Sequence, residues 1–112
     1  MLKTSKILKL LSDSNRLRIL QLLRQRKLCV CELAYVVGVT QPSISRHLKK
    51  LKASGLVEQE QAGFWTDYYF KLNDSIHRDL LNSVFKSFED EPIVKEDLVR
   101  LRKANRKKLC CK

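Results

Sequence analysis

Apolar residues recur at helical spacing along most of this chain, and only between Gly55 and Leu72 does the period drop to two. Ile7, Leu8, Leu10 and Leu11 predict a short amphipathic helix over residues 2–11. Ser12-Asp13-Ser14-Asn15 is a run of N-cap formers. A second helix is predicted from there to about Gln25, burying either Leu17, Leu20 and Leu23 or Ile19, Leu22 and Leu23. Cys31, Leu33, Ala34 and Val37 mark a short third helix over residues 31–37, which Gly38 ends in a left-handed turn. Thr40 caps a fourth helix, with Gln41 and Pro42 in its first turn and Ile44, Leu48 and Leu51 on its apolar side, ending near Ser54-Gly55.

Two helices joined by a short glycine-containing turn form a helix-turn-helix signature. After it, Leu56-Val57 opens a strand, Ala62-Gly63 makes the turn, and the chain returns as a second strand. Thr66, Tyr68, Phe70 and Leu72 share one face of that strand, and Trp65, Asp67, Tyr69 and Lys71 the other. A fifth helix is predicted over residues 75–89, with Ile76, Leu80, Leu81, Val84, Phe85 and Phe88 giving a wide apolar face. Glu91-Pro92 breaks it, and a last helix over residues 93–107 carries a narrow stripe of Val94, Leu98 and Leu101. The expected fold class is mainly α with a small β-hairpin, a winged helix-turn-helix. Residues 1–92 form the main domain and 93–112 a basic helix and tail.

Composition narrows the function. At 112 residues the chain makes one domain, small enough to gain stability by dimerising. No apolar run approaches the roughly 20 residues of a membrane span, and the lysine-interrupted N-terminus lacks a signal-peptide cleavage site, so a cytoplasmic protein is expected. The net charge of +11 favours a polyanionic partner. It is unevenly placed: residues 40–54 carry Arg46, Lys49, Lys50 and Lys52 without an acid, whereas 79–97 is net acidic and the tail beyond is basic. No nucleophile–base pair, glycine-rich phosphate loop or acidic pair points to an enzyme, and no cofactor is required.

The fourth helix is the candidate reader of double-stranded DNA. Arg46, Lys49 and Lys50 point away from its apolar side. Thr40, Gln41, Ser43 and Ser45 lie at the N-terminal end, the part of a recognition helix that reaches base edges. Gln41 suits adenine and Arg46 guanine, serine hydroxyls fit either role, and Lys49 and Lys50 suit phosphates. His47 falls on the core flank and reads as a boundary residue.

Four cysteines form two tight pairs, Cys29/Cys31 and Cys110/Cys111, neither with C-x-x-C spacing. Cys29 and Cys31 stand at the entrance to the third helix, near Arg24, Arg26 and Lys27, whose charges favour thiolate. In a helix, residues two apart diverge by about 200°; in an extended segment they share a face. One ion therefore takes both sulfurs only where this stretch is, or becomes, non-helical, and soft thiolates select soft centres. A pair of buried core cysteines accounts for the same residues equally well.

Ser12-Asp13 with RLRIL over residues 16–20, LCVCELA over 28–34, TQPSISRHLKKLKASGLV over 40–57 and Gly63-Phe64-Trp65 leading to Tyr68 resemble the ArsR/SmtB family of metal-responsive winged-helix repressors. The arsenic-responsive members are the nearest fit, and the resemblance covers about residues 12–90. It implies a homodimer built on the first and fifth helices, a palindromic operator, no membrane partner, and release of a metal(loid)-resistance operon when arsenite binds Cys29 and Cys31. As(III) is the expected effector, with Sb(III), Cd(II) and Pb(II) as alternatives.

The chain departs from the family in three places. The wing tip carries Glu60, Gln61, Ala62 and Phe64 where arginine or lysine is usual. Ala34 stands where some arsenic-responsive members have a third cysteine. Phe88 holds the place of a second histidine after His77, which excludes a zinc site on the fifth helix. Because As(III) takes three thiolates, Cys110 or Cys111 is expected to supply the missing one, Cys110 by preference. Two other functions fit the cysteines: a repressor switched by thiol oxidation, and a cysteine-based metal carrier.

Overall fold

A computed structural model describes residues 2–72 and 75–105. Among them the element order is α1 (Lys3–Leu11), α2 (Ser14–Gln25), α3 (Val30–Val37), α4 (Gln41–Ala53), β1 (Val57–Ala62), β2 (Trp65–Phe70), α5 (Ser75–Phe88) and α6 (Pro92–Lys103). None of these helices is long and apolar enough to cross a membrane.

α2 is the central helix. Asp13 caps it, its carboxylate accepting the backbone N–H groups of Asn15 at 2.9 Å and Arg16 at 3.1 Å. The two apolar stripes open in the sequence are not alternatives: Ile19, Leu20, Leu22 and Leu23 are all buried, with Leu17 half-buried against them. α1, α3, α6 and β2 each pack on this helix, so more than one of its sides needs apolar cover.

α3 begins at Val30, one residue earlier than expected, because Cys29 is extended and serves as its N-cap. Gly38 closes it at φ 81°, a conformation that suits a residue without a Cβ, and donates its N–H to Ala34 O at 2.9 Å. Thr40 Oγ1 then accepts the Ser43 N–H at 3.3 Å and starts α4, whose Ile44, Leu48 and Leu51 enter the core.

β1 and β2 pair antiparallel from Val57 opposite Phe70 to Ala62 opposite Trp65, with Gly63 and Phe64 as the two turn residues. The turn thus lies one residue beyond its expected place. A further rung joins the hairpin to the chain before α3: Leu28 and Tyr68 exchange backbone hydrogen bonds of 3.1 and 2.8 Å. In β2 burial does not follow the two expected faces, since Asp67 is buried while Trp65 and Tyr69 on its own face and Thr66, Tyr68 and Phe70 on the other are all half-buried. Asp67 lies opposite Glu60, and Lys27 reaches across to pair with Glu60 and lies over the Tyr69 ring, covering that side of the ribbon.

α5 buries Leu81 and Phe85. Phe85 meets Phe70 edge-on at 5.9 Å and carries the Arg24 guanidinium 4.1 Å from its ring centre. Pro92 opens α6 as a first-turn residue rather than only ending what precedes it, because an N–H there needs no helical partner. α6 is fastened by charge as well as by Val94 and Leu101. Asp97, 2% exposed, receives two hydrogen bonds from Arg18, at 2.9 and 2.8 Å, and one from Arg100 at 2.8 Å. The same arginines cap the end of α3, Arg18 on Val37 O at 3.1 Å and Arg100 on Val36 O at 2.8 Å. One buried carboxylate therefore ties α2, α3 and α6 together.

Candidate nucleic-acid interface and thiol site

With Ile44, Leu48 and Leu51 anchored inside, α4 turns the opposite side to solvent. Gln41, Ser45, Arg46, Lys49 and Lys50 are exposed there, as is Thr40 before the helix, while Ser43 is half-buried. Thr40 and the Ser43 backbone are engaged in the cap, which leaves the Thr40 side chain a positional task beside any contact to DNA. The acid-free stretch of the sequence thus becomes one exposed, basic helical face.

His47 is half-buried on the flank turned to the start of α2. Burial pushes its imidazole below the ordinary range; Asp13 pulls the other way, and Arg16, Lys50 and Arg46 add to the depression. Burial works against ionised Asp13 in turn, but the Arg16 N–H, the charges of His47 and Arg16 and the Asn15 N–H outweigh it and hold that carboxyl low. His47 is thus the boundary residue expected.

On the wing side, Ser45, Lys49 and Lys52 face Gln59 and Tyr68 across a groove. The wing from Val57 to Phe70 contains Glu58, Glu60 and Asp67 and neither lysine nor arginine. Its turn presents Phe64, 83% exposed.

The thiols straddle the start of α3. Cys29 is buried at 3% exposure in the extended cap position, and Cys31 is half-buried inside the first turn. The cap is reciprocal: Glu32 Oε1 accepts the Cys29 N–H at 3.1 Å, and the Cys29 side chain faces the Glu32 backbone N–H; the Leu33 N–H, at 3.1 Å from Cys29 O, makes the first helical bond. Glu32 is itself buried, and Arg26 reaches its Oε2 at 3.2 Å and Leu101 O of α6 at 3.5 Å.

The cations that the sequence places beside the thiols each have another partner. Arg26 holds Glu32, Arg24 bonds Gln21 Oε1 at 2.9 Å and covers Phe85, and Lys27 pairs with Glu60. Among the described residues no group of three or more His, Cys, Asp or Glu is placed to hold a metal ion. Cys110 and Cys111 lie outside the described residues. His77, at the start of α5, hydrogen-bonds Thr4 Oγ1 of α1 at 2.9 Å.

Sequence reasoning missed Glu32, although a carboxylate three residues after an N-cap is the capping-box signature; cysteine in place of serine hid it. It missed Arg18, Asp97 and Arg100 too, because partners 79 residues apart leave no local pattern.

Residues 13–59 match the model of the family described as bacterial regulatory protein, arsR family. An arsenical resistance operon repressor of Staphylococcus aureus is 39% identical over 80 residues, covering 71% of this chain and 75% of the relative. A protein of the same description from Bacillus subtilis (strain 168) is 43% identical over 75 residues, covering 66% and 70%. Among solved structures, the homodimeric winged helix-turn-helix DNA-binding domain of a possible ArsR-family transcriptional regulator from Mycobacterium bovis superposes with a TM-score of 0.64 at 29% identity, covering 80% and 82%. Relatives and fold alike are those of DNA-binding transcription regulators, not enzymes. The helix-turn-helix, the hairpin wing and these matches together place the chain in the ArsR family of winged helix-turn-helix bacterial regulatory proteins.

Proposed function

We propose that this protein is a homodimeric repressor that holds a palindromic operator through α4 and lets it go when arsenite, or a similar soft ion, is taken by Cys29 and Cys31. The observation that carries the reading is the position of the two thiols at the start of α3, one outside the helix and one within its first turn. Both matched relatives named above are arsenical resistance operon repressors, which supports arsenite as the effector.

Thiolate chemistry suits a soft ion, and the helix boundary falls between residues 29 and 31. Bringing both sulfurs to one centre costs the turn. The Leu33 N–H leaves Cys29 O, and the Cys29 N–H leaves Glu32, which frees Arg26 from its place between α3 and α6. Leu28, the residue before Cys29, carries the disturbance to the wing through Tyr68, and α3 passes it to α4 through the Gly38 turn. Cys110 or Cys111 supplies a third thiolate in this scheme; X-ray absorption tests it by counting three sulfurs per arsenic in the wild type and fewer with both as serine.

The dimer is assigned to α1 and α5. Ile76 is 77% exposed, Leu80 and Val84 are half-buried, and Leu8 of α1 is 49% exposed beside the Thr4–His77 contact that joins the two helices. An apolar strip of this kind suits a second copy.

The test is fluorescence anisotropy with a labelled fragment of the upstream promoter and the reduced protein. Binding is expected to fall steeply with salt, to weaken on Arg46→Ala with relaxed sequence preference, and to be reversed by arsenite. Release by peroxide but not arsenite makes the protein a thiol-oxidation sensor instead. No binding to any duplex overturns the reading.

A further inference from the structure

α1 carries a charge pattern that neither the core nor the dimer uses. At about 100° per residue, Lys3, Lys6 and Lys9 fall within about 120° of arc on one flank. Ile7 and Leu11 face the core. Thr4 and Leu8 fall on the opposite flank, the one tied to α5 through His77. Helix α1 thus has three sides: core, α5 and lysine.

The lysine side meets the reader helix. Lys6, Lys9 and Leu10 of α1, with Arg16 of α2, face Lys50 and Ala53 of α4 and its C-cap Ser54 across one groove. Lys3, Lys6 and Ile7 continue it along Ala53 and Ser54. No carboxylate lines either stretch among the described residues. Arg16 is held in place by donating its Nε–H to Leu10 O at 2.8 Å. Asp13, which faces Arg16 from the neighbouring corner, is spent on the α2 cap. The groove therefore opens beside the exposed face of α4, on the flank of Lys50, whereas Lys49 borders the wing-side groove. The wing carries Glu58, Glu60 and Asp67 without a lysine or arginine, and its turn exposes Phe64.

We propose that the lysine-lined groove between α1 and the C-terminal half of α4 is a second contact surface for duplex DNA, gripping phosphates that flank the bases read by α4. Lys6 and Lys9 are its principal ligands, supported by Lys3, Arg16 and Lys50. In this arrangement the sequence-independent grip sits on the α1 side of the reader rather than at the wing tip. The inference rests on α4 binding DNA, and it predicts a footprint extended beyond α4.

The test measures affinity for the promoter fragment against salt for wild type and for Lys6→Gln/Lys9→Gln. Each phosphate contact contributes about 0.9 to the slope of log K against log salt. A dimer losing four contacts therefore flattens by about 3.6. The preference for promoter over unrelated DNA is expected to stay unchanged, because phosphate contacts carry no sequence information. Lys86→Gln/Lys95→Gln removes the same charge from α5 and α6 and is expected to leave the slope close to wild type. Circular dichroism and sedimentation confirm that each variant is folded and dimeric; all four positions are exposed. A wild-type slope in Lys6→Gln/Lys9→Gln overturns the groove while leaving α4 as reader, as does equal flattening in the control pair. A wild type that binds no duplex overturns both.

Discussion

Replacing Asp97 by alanine strips the counter-ion from two arginines at once. Asp97 is nearly inaccessible, the Arg18 side chain is 14% exposed and Arg100 35%. Removing one member of a buried ionic group typically costs about 3–5 kcal/mol, because the charge left behind has lost its partner. Arg100 can turn toward water, which places the expectation near the lower end, about 3 kcal/mol. For a domain of this size that lowers Tm by roughly 12 °C or more. Function falls with it, since the same arginines hold the Val36 and Val37 carbonyls just before the turn that aims α4. The assay is urea unfolding at one fixed protein concentration, as dimerisation makes stability concentration-dependent, run beside promoter affinity. Arg18→Met/Asp97→Leu/Arg100→Met, which removes the charges together, is expected to regain part of the loss, the Val36 and Val37 carbonyls staying without their arginine donors. An Asp97→Ala protein within about 1 kcal/mol of wild type refutes the argument that this carboxylate fastens α6.

Three further outcomes are expected. Val84→Glu places a charge in the exposed strip of α5 and yields monomers that no longer hold the promoter; a variant that sediments as a dimer moves the interface elsewhere. Thiol-reactive probes label Cys31 before Cys29, because Cys29 is the buried member of the pair; simultaneous labelling, or Cys29 first, contradicts the cap geometry. The depressed groups make stability fall on acidification. His47 titrates lower in the folded chain than its ordinary 6.5, so the unfolded chain binds the extra proton and stability drops as pH falls below 6.5, down through the folded value. Asp13 adds a second loss below its ordinary 3.8. His47→Gln is expected to remove the first loss and keep the second, as read from unfolding free energy against pH.

The elements most visible in the sequence are those whose signals are local. Thr40, Gly38 and Pro42 bound the helix-turn-helix, and the spacing of Ile44, Leu48 and Leu51 separates its buried side from the face that carries Arg46 and Lys49. The hairpin was legible from its change of period, but the burial of Asp67 was not, because period two separates two faces without saying what packs on either. The start of α3 shifted by one residue because cysteine is an unusual N-cap, and that shift separates Cys29 from Cys31 across the helix boundary. Tertiary pairing was invisible: nothing near Asp97 in sequence announces Arg18, and nothing near Leu28 announces Tyr68. The lysines of α1 were visible as residues but acquired a direction only once α1 faced α4 across a groove.

Arsenite affinity measured by titration calorimetry, with and without saturating promoter DNA, tests the switch most directly. If the ion and the operator compete for two states of the α3 entrance, each must weaken the other by the same factor, typically about 5–150-fold. The expected result is weaker arsenite binding to the DNA complex, matched by an equal loss of DNA affinity in saturating arsenite. Cys31→Ser is expected to abolish both while binding DNA as tightly as wild type. Equal arsenite affinity in the free and DNA-bound protein contradicts the account.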